Sequence, residues 1–208
     1  MLFRKRDMIL AYLNASSLII LIFVLAPVHN SQTQFVIAVA KVSTLSTGIS
    51  PYGIDVNPNT SKVYVANGND GTISIIDENS KMMVSNITSE YTDQPIPVSV
   101  NPNTNMVYVA NYDNDTVSVI DGRTNMLIAN GIEVGVGPVA VSVNPNNNMV
   151  YVANSHDNTT SVIDGRTNTV VDNVKVGSFP VAVSVNPNTN IVYVANGNDD
   201  TISMITLD

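Results

Sequence analysis

Two short motifs recur along this chain with one drifting period. Asn-Pro-Asn begins at Asn57, Asn101, Asn144 and Asn186, and Tyr-Val-Ala-Asn begins at Tyr64, Tyr108, Tyr151 and Tyr193. Successive copies stand 44, 43 and 42 residues apart in both series. Two independent motifs that drift together mark repeats of one structural unit. A period near 43 made of short β-branched runs is that of a propeller blade of four antiparallel strands. The 173 residues from Val36 to Asp208 make four such periods, with repeat units starting near residues 54, 98, 141 and 183. The expectation is an all-β fold: a β-propeller of four-stranded antiparallel blades, closed as a small ring or left as an open arc.

The third repeat shows the strands most plainly, at Val139 to Val143, Met149 to Ala153, Thr160 to Asp164 and Thr169 to Val176. The first two are joined by Asn144-Pro145-Asn146-Asn147-Asn148, where proline presets φ and asparagine tolerates left-handed backbone. The last two are joined by Asp164-Gly165-Arg166-Thr167-Asn168. The second strand is apolar on both faces, which stacked blades would bury and a sandwich with one wet face would not. The fourth mixes Asp172, Asn173 and Lys175 with its valines, as an outer edge should.

Residues 1–31 differ from the rest. Arg4, Lys5 and Arg6 precede Ile9 to Val28, a run with no charge, which reads as a hydrophobic helix serving as an export signal or a membrane anchor. Either role sends residues 32–208 outside the cell, to the extracellular face of the membrane or into the medium. The last repeat stops after its third strand, so Val36 to Leu45 is expected to supply the fourth strand of the last blade. The alternative is an arc whose blade edges self-associate.

Composition narrows the function. The chain carries 17 acidic and 9 basic side chains and no cysteine, which excludes disulfides, thiolate metal sites and a cysteine nucleophile. Beyond residue 28 the basic residues are Lys41, Lys62, Lys81, Arg123, Arg166 and Lys175, scattered through an acidic sequence. No nucleic-acid partner is expected of such a surface.

Tyr-Val-Ala-Asn, then Thr-(Val/Ile)-Ser-(Val/Ile)-Ile-Asp at Thr72 and Thr116, then Gly-x-x-Pro at Gly48, Gly135 and Gly177, resemble the YVTN β-propeller repeat. The connection Gln94 to Pro97 lacks the glycine. The resemblance implies an exported or surface-layer propeller of about seven blades, of which this chain has four repeats.

The loops between second and third strands gather oxygen ligands: Gly68-Asn69-Asp70-Gly71, Tyr112-Asp113-Asn114-Asp115, Ser155-His156-Asp157-Asn158 and Gly197-Asn198-Asp199-Asp200. The alternation Asn111, Asp113, Asp115 is the candidate metal site, for calcium; no cofactor is expected beyond that candidate, and the loops read first as solvated turns. His156 is the one histidine in these loops, and a lone histidine in an exposed loop reads first as solvated. Asn59, Asn86, Asn114 and Asn158 begin glycan-acceptor triplets.

The leading functional expectation is a non-enzymatic, exported or cell-surface scaffold for binding, adhesion or envelope structure. Its partners would be a surface protein or glycan, and the membrane through the N-terminal segment. The alternative is a metal-dependent hydrolase similar to lactonase-type propellers, with Asp55, Asp70 or the blade asparagines converging on an axis. An enzyme should break the repeat near its centre. The departures read from sequence lie instead in the Asp55 strand and between Glu90 and Pro97.

Overall fold

The computed structural model describes residues 41–88 and 95–206. The chain divides into two units, Met1–Ser43 and Thr44–Asp208, and the second holds every described strand. Blade 1 is β1 (Pro51–Asn57), β2 (Lys62–Asn67), β3 (Thr72–Asp77) and β4 (Met82–Thr88). Blade 2 is β5 (Pro95–Asn101), β6 (Met106–Asn111), β7 (Thr116–Asp121) and β8 (Met126–Glu133). Blade 3 is β9 (Pro138–Asn144), β10 (Met149–Asn154), β11 (Thr159–Asp164) and β12 (Thr169–Lys175). Blade 4 is β13 (Pro180–Asn186), β14 (Ile191–Asn196) and β15 (Thr201–Ile205). Three sheets are four-stranded and the last is three-stranded, each an antiparallel meander in sequence order.

Register repeats with the sequence. Tyr64 lies opposite Asp55 and Ile75, Tyr108 opposite Ser99 and Val119, Tyr151 opposite Ser142 and Val162, and Tyr193 opposite Ser184 and Met204. Left-handed residues end the turns: Ser61, Asn105, Asn148 and Asn190 before each second strand, and Lys81, Asn125 and Asn168 before each fourth. Asparagine adopts that backbone with little strain, which is why it recurs there. The first strands β1, β5, β9 and β13 neighbour one another in order and lie innermost, while β4, β8 and β12 form exposed outer edges.

The core sits between blades. Tyr64, Ala66, Ile73 and Ile75 of blade 1 pack on Val98, Val100, Val107, Val109 and Ile120 of blade 2. Tyr108, Ala110, Val117 and Val119 of blade 2 pack on Val143, Val150, Val152 and Ile163, and Tyr151 and Val162 of blade 3 on Val192, Val194 and Ile205. A polar clasp accompanies each contact. Asn57 donates through Nδ2 to Asn105 Oδ1 at 2.9 Å, Asn101 to Asn148 at 2.6 Å and Asn144 to Asn190 at 2.8 Å. Asn59, Asn103 and Asn146 donate to the carbonyls of Pro102, Pro145 and Pro187 in the following blade.

At the two ends the equivalent apolar residues stay exposed: Ile54 and Val56 on β1, Ile202 and Met204 on β15. Among the described residues no blade covers either face. Of the segment expected to complete the last blade, residues 41–45 carry no strand, and 36–40 lie outside the described residues.

The membrane attachment needs correction. Among the described residues no helix is long and apolar enough to cross a membrane. The run Ile9 to Val28 that suggested a helical anchor lies outside those residues. With no such helix among the described residues, the expected membrane anchor and membrane partner are withdrawn.

Candidate active site

The connection into each first strand and the loop between second and third strands meet at one end of every blade, because the start of the first strand pairs with the end of the second. Pro51 faces Asn67, Pro138 faces Asn154 and Pro180 faces Asn196. There the loop carboxylates hold the connections. Asp70 accepts from Ile49 N–H at 2.7 Å, Asp157 from Val136 N–H at 3.0 Å and Asp199 from Ser178 N–H at 2.5 Å. Desolvation pushes the Asp70 carboxyl up, but hydrogen bonds from Ile49 N–H and from the Thr72 hydroxyl and N–H hold it below its usual range.

Beneath each loop sits a buried asparagine. Asn67 donates to Thr72 Oγ1 and Ser74 Oγ, Asn111 to Thr116 and Ser118, Asn154 to Thr159 and Ser161, and Asn196 to Thr201 and Ser203, all at 2.9 to 3.1 Å. These amides tie the second strand to the third. A Cβ on Gly48, Gly135 or Gly177 would overlap the same amides, so glycine is required for the connection to cross them.

The residues expected to hold calcium point in different directions. Asn111 is buried and engaged with Thr116 and Ser118, Asp113 is exposed, and Asp115 Oδ1 accepts from Gly137 N–H of the following blade at 2.7 Å. Asp55 and Asp70 are likewise engaged apart, for Asp55 Oδ2 accepts from Val100 N–H at 2.8 Å. Among the described residues no group of three or more His, Asp or Glu side chains is placed to hold a metal ion.

Three side chains that break the repeat do converge. Tyr112 stands where the other blades have Gly68, Ser155 and Gly197, and His156 where they have Asn69, Asp113 and Asn198. Phe179 occupies the place of Ser50, Gln94 and Gly137. Tyr112 Oη lies 3.1 Å from His156 Nε2, with the rings edge to face at 73° and 5.7 Å between centroids. Phe179 also stands beside the imidazole, 6.5 Å between centroids at 30°. Blades 2, 3 and 4 thus each contribute one ring.

The backbone that carries the imidazole is tied to the connection before β9. His156 N–H donates to Val136 O at 3.0 Å, and Ser155 donates to Gly137 O through both N–H and Oγ. Gly137 has φ of 68°, and a Cβ there would press on the imidazole at 3.0 Å from Nδ1. Asp115 fixes Gly137, and Asn158 fixes Phe179 by accepting its N–H at 2.8 Å. Phe179 itself has φ of 55°, a left-handed backbone that a bulky side chain seldom adopts. Sequence reasoning assigned no catalytic residue: it noted His156 as an exposed loop histidine and passed over Tyr112 and Phe179. Their signal was available as the three departures from the repeat on one side of the array.

A family model described as lactonase, 7-bladed beta-propeller, matches residues 31–134. No curated protein matches the chain. Among solved structures it resembles the hydrazine synthase of Kuenenia stuttgartiensis, at 22% identity and a TM-score of 0.69, over 81% of this chain and 49% of that one. A functionally unknown protein from Desulfotomaculum acetoxidans DSM 771 aligns at 18% identity and TM-score 0.63, over 79% of this chain and 58% of that one. The computationally designed Ika4 protein aligns at 18% identity and TM-score 0.68, over 83% of this chain and all of that one. At these identities the structures show the propeller fold alone, and the chain spans about half the length of the two natural relatives. The lactonase match overturns the expectation of a non-enzymatic scaffold. It favours the hydrolase alternative, without the metal centre that alternative assumed, because the carboxylates that would have formed one are engaged by backbone N–H groups in separate blades.

Proposed function

This chain belongs to the lactonase, 7-bladed beta-propeller family, and from that premise we propose that it hydrolyses a lactone, with Tyr112 and His156 acting together as the base. The carrying observation is the hydrogen bond of 3.1 Å between two non-repeated side chains from neighbouring blades. In the tautomer with its proton on Nδ1, His156 accepts the Tyr112 hydroxyl hydrogen at Nε2. Water bound to the tyrosine oxygen attacks the lactone carbonyl carbon. Its proton passes to Tyr112 as the tyrosine proton passes to Nε2, and the proton returns to the ring oxygen when the acyl C–O bond breaks. The product is a hydroxy acid, and the pair is restored. Asp115 and Gly137 act as positioning residues for the imidazole.

Ring opening of γ-butyrolactone followed by base consumption at constant pH tests this reading. General acid–base groups contribute roughly 10²- to 10⁴-fold, so His156→Gln is expected to lose about that much kcat with unchanged thermal unfolding. Tyr112→Phe should fall by a similar factor. Wild-type rates in both variants would reject the assignment. Within the family we assign the four repeats to the YVTN type, on Tyr-Val-Ala-Asn in each blade, and residues 32–208 to an exported propeller, on the basic and apolar N-terminal run.

A further inference from the structure

The third strand of blade 4 is built as an interior strand and stands at an edge. β3, β7 and β11 each pair on both sides, whereas β15, Thr-Ile-Ser-Met-Ile, pairs among the described residues with β14 alone. It has no charge, proline or bulge to guard that edge. The matching segment lies before blade 1. Thr44 precedes Gly48 by four residues, as Asn173 precedes Gly177, so residues 44–47 stand in the repeat where 173–176 end the outer strand of blade 3 and lead on. Residues 44–47 carry no strand, and Leu45, in the place of Val174, is 49% exposed. Ser50 nevertheless has a left-handed φ of 57°, as Gly137 and Phe179 do, and Asp70 holds Ile49 N–H as Asp157 holds Val136 N–H. The connection into blade 1 has the shape of one that follows a preceding blade.

We propose that this preceding blade is blade 4 of a second copy, so that two chains close head to tail into one ring of eight blades, within the size range of propellers. The inference goes beyond the hydrolase reading and does not depend on it. Residues 44–47 of one copy pair with β15 of the other, setting Leu45 opposite Ile202 as Val174 lies opposite Thr160. Thr47 N–H then reaches Asp200 O, and Ser50 N–H its Oδ1, as Val176 and Phe179 reach Asn158. Ile202 and Met204 on one end face meet Ile54 and Val56 on the other, as Ile73 and Ile75 meet Val98 and Val100 between blades 1 and 2. A head-to-tail contact made twice covers both end faces.

Two positions in blade 1 fit this contact less well than their counterparts within the chain. Ser61 stands where Asn105, Asn148 and Asn190 accept the clasp of the preceding blade. Glu78 stands where Gly122 and Gly165 make room for a tyrosine hydroxyl, so Tyr193 has to turn aside from its Cβ. The junction is therefore the weakest in the ring and opens on dilution, leaving the end faces of the single chain exposed.

The chain contains no cysteine, so Leu45→Cys with Ile202→Cys reports the junction directly. Under mild oxidation the full-length double variant should give a covalent two-chain species on a non-reducing gel. Sedimentation of the parent should show a two-chain mass that dissociates on dilution. Ile54→Asp and Met204→Asp, each at an exposed position, should keep the fold by circular dichroism and shift the mass to one chain. Glu78→Gly removes the overlap with Tyr193 and should tighten association about 10-fold, the scale of relieving an overpacked contact. A disulfide closed within one chain, a single-chain mass at every concentration, masses that grow without limit, or a two-chain mass indifferent to both aspartates and to Glu78→Gly would overturn the proposal.

Discussion

Tyr64 and Tyr108 are fully buried between blades, each with its hydroxyl 3.5 Å from the carbonyl oxygen of a glycine in the next blade, Gly122 or Gly165. Burial, with Asp121 or Asp164 nearby, pushes each phenol up to about 12. In the unfolded chain a tyrosine ionises near 10. The buried neutral phenol therefore contributes stability that is fully present below about pH 10 and is lost as pH rises towards 12. Each side chain accounts for roughly 2 to 3 kcal/mol of that decline. Denaturant unfolding followed from pH 8 to 12 should show the loss, and Tyr64→Phe should make it shallower while changing stability at pH 8 by no more than about 1 kcal/mol. An unchanged alkaline slope in that variant would contradict the assignment. The glycines facing these hydroxyls are explained by the same contact, since a Cβ on Gly122 or Gly165 would overlap the tyrosine oxygen.

In blades 1 to 3 the first asparagine of the Asn-Pro-Asn turn links that turn to the next sheet. Asn101 Oδ1 accepts from Asn103 N–H at 3.0 Å inside the β5–β6 turn, while its Nδ2 donates to Asn148 Oδ1 of blade 3 at 2.6 Å. The side chain is buried, so deleting it strands polar groups on both blades, at a cost of about 1 to 3 kcal/mol for each group left without a partner. Asn101→Ala should lower stability by about 2 to 4 kcal/mol in chemical denaturation. Asn101→Asp keeps the acceptor but sets a carboxylate against the Asn148 carbonyl oxygen, and should be no better tolerated. A loss under 0.5 kcal/mol in both variants would show that the clasp is not an energetic link between blades. The Asn-Pro-Asn motif, read from sequence as a turn signal, is thus also an inter-blade fastener.

Position in the array decides the energy of a repeat position. Ile73 and Ile202 occupy the same place in the third strand of blades 1 and 4, yet Ile73 is buried against blade 2 and Ile202 is 68% exposed on an uncovered end face. Ile73→Ala should therefore cost about 2 to 5 kcal/mol and Ile202→Ala no more than about 0.5 kcal/mol. Equal costs would mean that the end face is covered in solution. Glu78 reflects the same asymmetry, standing in blade 1 where blades 2 and 3 have Gly122 and Gly165, with no tyrosine from a preceding blade among the described residues to demand a glycine. Strand limits, turn chemistry and the stacking of sheets were legible in the sequence, because alternation and turn residues act over a few neighbours. The second strand of the third repeat, read as Met149 to Ala153, is observed as Met149–Asn154. The site was not legible in the same way. Asn111, Asp113 and Asp115 alternate along the chain as calcium ligands would, but the loop turns them apart towards their own blade, the exterior and Gly137. Tyr112 and His156, 44 residues apart and at different places in the repeat, meet because successive blades bring neighbouring loops together at one end. Local sequence determined what each blade is, and only the packing of one blade on the next decided which side chains share a site, since that contact depends on how the blades stack and on no feature of either loop alone.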